Sequence, residues 1–182
     1  NIGFDSIEQY RDIAAINGYK KTVNSGGDVE HFLKTLKFLS RDNGRTPMQW
    51  DGSENAGFTT GTPWLPVNPN YTTINVKAQE GDPNSCLSYF RKMVKLRKDN
   101  PVLVYGDYEL VRPEHEQVYA YTRTLGDVKM LVLLNFSDEA AGIELPEGTA
   151  TDEVLINNYD AVETAGLAVN LKPYQAVVYA LK

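Results

Sequence analysis

Leu96-Arg97-Lys98-Asp99-Asn100-Pro101-Val102-Leu103-Val104-Tyr105-Gly106-Asp107 is where the chain changes character. Upstream of it, Cys86, Phe90, Met93, Val94 and the stem of Arg97 fall on one face at helical spacing, with Leu87 and Leu96 beside it. Asp82-Pro83 supplies a capping carboxylate and a proline suited to a first helical turn, so a helix is predicted from there. Its last turn carries Lys95, Arg97 and Lys98, which suits the negative end of a helix dipole. Asn100-Pro101 ends it, because a residue before proline is pushed out of the helical region. Cys86 reads as a small buried hydrophobe on the apolar face.

Downstream of that boundary the pattern is β. Candidate strands are Val102 to Tyr105, Tyr108 to Arg112, Val118 to Thr124, Lys129 to Phe136, Ala141 to Leu145, Glu153 to Asn157, Leu167 to Leu171 and Gln175 to Leu181. Gly106-Asp107, Gly126-Asp127 and Pro146-Glu147-Gly148 separate them as turns. Short strands at this spacing predict an antiparallel sandwich. Tyr119 and Tyr121, with Leu131 and Leu133, read as cross-strand core packing.

The N-terminal hundred residues read as helices and long loops. Asp5 or Ser6 can cap a helix to about Asn24, ended by Ser25-Gly26-Gly27. Asp28 can cap a second, whose Val29, Phe32, Leu33, Leu36 and Leu39 keep helical spacing. From Arg41 to Asp82 the chain is dense in proline and glycine, with Trp50, Phe58, Trp64 and Tyr71 spread through it. A loop that long is uncommon inside a compact domain and is often functional, so it is expected to lie against another surface.

Within that loop, Arg41-Asp42-Asn43-Gly44-Arg45-Thr46-Pro47-Met48-Gln49-Trp50 packs two guanidinium groups, an amide pair and an indole into ten residues. Arginine offers a planar fork of donors able to hold adjacent sugar hydroxyls or a carboxylate, and the indole face suits the C–H face of a pyranose. Arg–Asp pairs and tryptophans also pin loops together, so the chemistry alone leaves both readings open.

Composition narrows the classes. A net charge of −6 with no basic stripe argues against a nucleic-acid partner. No apolar run approaches the length that spans a bilayer, and no membrane partner is expected. No basic start followed by an apolar stretch marks a secretion signal, and the single cysteine excludes an internal disulfide, which together favour a cytoplasmic setting. The first residue is Asn1 rather than Met, which fits a chain cut from something longer. His31 and His115 lie far apart, and no metal-ligand spacing or cofactor motif occurs. Asn70-Tyr71-Thr72 and Asn135-Phe136-Ser137 match the glycosylation pattern and are taken as chance.

The run from Arg41 to Trp50, followed by Ala56-Gly57-Phe58, Pro63-Trp64 and Val67-Asn68-Pro69-Asn70-Tyr71, resembles the oligo-1,6-glucosidase branch of the α-amylase superfamily. The resemblance begins at Tyr10-Arg11-Asp12 and runs through Asn75-Val76, Asp82-Pro83-Asn84-Ser85, Val104-Tyr105-Gly106, Tyr119-Ala120-Tyr121-Thr122-Arg123 and Asn135-Phe136-Ser137. It reaches Leu171-Lys172-Pro173-Tyr174-Gln175-Ala176 and so covers nearly the whole chain. It implies an α+β fragment: residues 1–100 as the helical, loop-rich end of a catalytic β/α barrel, and 101–182 as a C-terminal β-sandwich. Barrel active sites sit on the loops after the strands, which would put Arg41 to Trp64 on the catalytic face. The resemblance places Arg45 at the non-reducing-end glucose, with Arg41 and Asn43 as further candidate substrate contacts.

The same resemblance shows what to miss. Retaining glycosidases need a carboxylate nucleophile and a carboxylic acid about 5 Å apart. The family motifs that carry them, an Asn-His-Asp triplet and an Asp-Gly-Phe-Arg-type run, do not occur here. No catalytic residue is therefore assigned, and the chain alone is expected to be inactive. The implied activity is exo-acting, retaining hydrolysis of α-1,6 or α-1,4 bonds in short glucosyl oligosaccharides, performed with an upstream catalytic polypeptide as partner. The alternative is a non-catalytic supporting or sugar-binding β-sandwich module.

Overall fold

A computed structural model describes all of residues 1–182. The chain divides into two compact units, Asn1–Pro83 and Asn84–Lys182.

The first unit contains no strand. A 3₁₀ turn, Ile7–Gln9, precedes α1, Ile13–Asn24, and α2, Val29–Leu39. The expected helix from Asp5 or Ser6 is thus two pieces. Ser6 and Gln9 form a capping box around the short turn, and Tyr10 leaves it in an extended conformation. Asp12 then caps α1 by accepting from the Ala14 N–H, at 3.0 Å. Asp28 caps α2 as the sequence suggests, accepting from the His31 N–H at 2.9 Å. Phe4, Tyr10, Ala15, Leu36 and Leu65 make the small core, with Phe4 and Tyr10 edge to face at 5.0 Å.

Beyond α2 the chain is held by polar anchors more than by burial. Asn75 is buried; its side chain caps α3, Val76–Glu80, and also donates to the Tyr71 carbonyl at 2.9 Å. Gln49 donates to Asn70 Oδ1 at 3.0 Å, and the Val76 and Lys77 amides donate to the Gln49 and Trp50 carbonyls. Met48, Trp50, Phe58, Trp64 and Ile74 stay exposed on this unit, as do Phe38 and Leu39 at the end of α2. The loop is structured, as expected, and carries apolar surface outward.

The second unit opens with α4, Cys86–Asp99. Its N-cap is Ser85, not Asp82: the Ser88 N–H donates to Ser85 Oγ at 3.1 Å, which starts the helix three residues later than Asp82-Pro83 predicts. That start leaves Cys86 exposed, which overturns its reading as a buried hydrophobe. Val102–Tyr105 is a further correction. It forms α5 rather than a strand, because Pro101 already sits in the right-handed helical region and the Gly106 N–H closes the turn on the Val102 carbonyl at 3.0 Å. A Cβ at Gly106 would lie 2.5 Å from that carbonyl oxygen, so only glycine fits the joint.

Eight strands follow: β1 Asp107–Val111, β2 Val118–Leu125, β3 Val128–Asn135, β4 Ala141–Glu144, β5 Thr151–Asn157, β6 Glu163–Ala165, β7 Ala168–Leu171 and β8 Ala176–Leu181. They form two antiparallel sheets, ordered β1-β2-β3-β8-β5 and β4-β7-β6. β2 and β3 are joined by Gly126-Asp127, with Gly126 at φ 58° as a tight hairpin requires. β6 is absent from the sequence expectation; all three of its residues are exposed, so it carries no alternation to read.

Inner-face residues of both sheets share one core, including Ala120, Leu131, Leu133, Ile143, Val169, Leu171 and Val177. The other face of the larger sheet carries a second cluster, with Val102, Met130, Val132, Ile156 and Val178 packed by Tyr89, Leu96 and Leu103 from the helices. The register corrects the tyrosine stripe. Tyr119 and Tyr121 stand opposite Leu134 and Val132 on the outer face, whereas Leu131 and Leu133 stand opposite Thr122 and Ala120. Asn135 is buried, and its side-chain amide donates to the Glu139 and Lys172 carbonyls, so it is structural rather than a glycosylation acceptor.

Candidate sugar-contacting site

The arginine-rich run is folded as a 3₁₀ turn, Arg41–Gly44, directly after α2. Ser40 caps it by accepting from the Asp42 N–H at 3.2 Å. Asp42, fully buried, is the anchor. Its Oδ2 accepts from the backbone N–H groups of Arg11, at 2.6 Å, and Asp12, at 2.8 Å, thirty residues back in the chain. A carboxylate so placed satisfies two donors that no helix or sheet reaches.

Arg41 is committed to the scaffold. Its Nε donates to Asp12 Oδ2 at 3.1 Å and its Nη2 to Asp12 Oδ1 at 2.5 Å, a two-pronged ion pair on a buried carboxylate. These bonds, with help from the Ala14 and Arg41 amides against a cost of burial, lower the Asp12 carboxyl to about 2. Asp12 in turn raises the Arg41 guanidinium. Asn43 is also committed: its amide donates to the Lys37 carbonyl at 3.1 Å, closing the end of α2.

Arg45 differs. Its backbone N–H closes the turn on the Asp42 carbonyl, but its guanidinium makes no side-chain hydrogen bond. Nη1 stands 3.7 Å from Asp42 Oδ1, and the side chain is 42% exposed. Asp42 Oδ1 is itself buried without a hydrogen bond, as is the Tyr10 hydroxyl, whose phenol is raised by burial and then by the Asp42 charge. A guanidinium that is oriented by a buried anion yet keeps its donors free can grip vicinal hydroxyls. The sequence reading puts Arg45 on the terminal glucose and keeps Arg41 and Asn43 as further candidate contacts. The fold separates them into two clamps, Arg41 on Asp12 and Asn43 on the Lys37 carbonyl, and one open donor set, Arg45 beside Asp42.

Residues 9–106 match the family model described as "Alpha amylase, catalytic domain". The chain belongs to the α-amylase family. A second family model, "Alpha-amylase SusG C-terminal domain", matches residues 118–178. Among curated relatives, the α-amylase-family chain is 47% identical to the oligo-1,6-glucosidase of Parageobacillus thermoglucosidasius, over 100% of the chain and 33% of the relative. It is 39% identical to the trehalose-6-phosphate hydrolase of Bacillus subtilis (strain 168), again over 100% and 33%. Among solved structures, the isomaltulose synthase of Klebsiella sp. LX3 superposes with a TM-score of 0.92 at 40% identity, covering 98% of this chain and 33% of that one. The chain therefore spans about a third of the length of the relatives it matches. No group of three His, Cys, Asp or Glu side chains is arranged to hold a metal ion. No helix is long and apolar enough to cross a membrane.

Proposed function

We propose that the chain is the C-terminal portion of an exo-acting, retaining α-glucosidase acting on α-1,6 or α-1,4 bonds of short glucosyl oligosaccharides. In this reading residues 1–100 complete a catalytic β/α barrel and residues 101–182 form its C-terminal β-sandwich. Support comes from the order of the two family matches and from glucosidase relatives that align along the whole chain. The observation that carries the reading is Arg45: of the three candidate side chains, it alone keeps its donors free while a buried carboxylate orients it. It would bind hydroxyls of the terminal glucose, with Arg41 and Asn43 shaping the loop beneath it and contacting sugar only after leaving their present partners.

The acid and nucleophile come from the upstream polypeptide. Asp12 and Asp42, the two carboxylates that hold the arginine turn, are engaged with backbone amides and arginine, and Asp51 in the same loop accepts from Ser53. Because the family's Asn-His-Asp and Asp-Gly-Phe-Arg-type motifs do not occur in the sequence, this reading has the chain alone inactive. One exposed, unpaired cysteine suits a reducing cytoplasm. In the complete enzyme, Arg45→Ala is expected to lower kcat/KM by about 2–5 kcal/mol of transition-state stabilisation. Unchanged kinetics would remove Arg45 from the site. The 182-residue chain is expected to release no nitrophenol from an aryl α-glucoside; release that survives repurification would contradict the placement of the catalytic carboxylates upstream.

A further inference from the structure

A cavity of about 250 Å³ lies in the second unit between α4 and the outer face of the larger sheet. Met93, Leu96, Leu103, Val132, Leu134 and Val178 make its walls apolar. Two guanidinium groups also line it, Arg97 from α4 and Arg123 from β2. Neither meets a carboxylate. Arg97 Nη1 donates to the Leu103 carbonyl at 2.5 Å and Arg123 Nη2 to the Val104 carbonyl at 3.2 Å, while Arg123 Nε is buried with no partner. Arg97 is exposed to water and Arg123 only partly buried, but the Arg123 Nε is buried without an acceptor, and a carboxylate entering the cavity would supply one beside two positive charges.

The size and surroundings decide what kind of anion. The volume is below the range of about 300–1,000 Å³ common for small-molecule pockets and suits one or two side chains. Around it Phe90, Met93 and Tyr105 are exposed, so the apolar surface extends well beyond what a small ligand would cover. Tyr108, Tyr119 and Phe136 extend the same exposed surface along the sheet. Their rings, with Tyr121, tilt 39–64° to one another, which gives no flat platform for a sugar ring.

We infer that this cavity is a docking site for a segment of the upstream polypeptide that inserts an apolar side chain and sets an Asp or Glu carboxylate on Arg97 and Arg123. The inference rests on the reading above that a longer polypeptide carries the chain, about two thirds of the relatives' length lying outside the match. The occupant is then covalently part of the same enzyme, and the two arginines fix where the second unit seats.

The test is thiol labelling in the complete enzyme, with Cys86→Ser as background. Met93, at the cavity mouth, and Glu163, on the exposed β6, are each replaced by cysteine in separate variants. Both sites are exposed in this chain, yet Met93→Cys is expected to label at least tenfold more slowly than Glu163→Cys once the upstream polypeptide is present. Adding Arg97→Glu and Arg123→Glu is expected to remove that protection, and Arg97→Lys with Arg123→Lys to keep most of it. Equal labelling of the two cysteines in an enzyme that hydrolyses aryl α-glucoside normally overturns the docking site while leaving the glucosidase reading intact. Slow labelling that charge reversal does not change overturns the carboxylate assignment. Absence of glucosidase activity in the unsubstituted complete enzyme overturns the functional reading instead.

Discussion

The two units are built on opposite plans. Asn84–Lys182 has a continuous apolar core of a dozen buried residues between two sheets. Asn1–Pro83 has a core of five, and much of its order comes from buried polar side chains: Asp42 and Asp12 hold backbone amides about thirty residues away, and Asn75 ties the backbone on either side of it. A unit built by burial is self-sufficient, since its driving force is its own apolar area. A unit built by hydrogen-bonded anchors, with Trp50, Phe58 and Trp64 facing outward, keeps its apolar surface for another polypeptide. That difference suits the proposed roles: the first unit lies wholly within the proposed catalytic domain, and the second carries the sandwich's own core together with α4.

The largest expected effect falls on the burial-built unit. Leu133 is fully buried at the centre of β3, so Leu133→Ala should destabilise that unit by about 3–4 kcal/mol. Both tryptophans, Trp50 and Trp64, lie in the first unit. Tryptophan fluorescence and far-ultraviolet circular dichroism of the sheets should therefore give separate urea transitions, with only the second shifted by Leu133→Ala. A single shared transition would break the comparison. Next comes Asp42→Ala, which strands the Arg11 and Asp12 amides and should cost the first unit about 2–4 kcal/mol, read by fluorescence alone.

The smallest effect is acid titration of the Asp12–Arg41 pair. Asp12 is depressed from 3.8 to about 2, so its contribution is present above pH 4 and is lost as pH falls through 2. Fluorescence-detected stability should fall over that interval, and Arg41→Ala should flatten it. Arg41 is more than half exposed, so screening keeps the change modest.

What could be read from the sequence followed from local periodicity. β2, β3, β5 and β8 lie within two residues of the expected bounds, because alternation and the Gly126-Asp127 turn are local signals. Val102–Tyr105 misled because a four-residue apolar run has no period long enough to separate strand from helical turn. Helix starts misled because several capping residues compete, and tertiary fit chose Asp12 over Asp5 and Ser85 over Asp82. At the candidate site the resemblance put Arg45 ahead of Arg41 and Asn43, but it did not say what the latter two hold. The partner that occupies Arg41 lies twenty-nine residues upstream, and no spacing rule links the two.

The order β1-β2-β3-β8-β5 places β8 between β3 and β5. During synthesis, then, the larger sheet exists as a three-stranded meander with an open edge on β3 while β5 waits unpaired. Neither gap closes until Ala176–Leu181 has left the ribosome. From the emergence of β3 until that of β8 the nascent chain carries unprotected strand edges, and in that interval this unit can pair with itself or with a neighbouring chain.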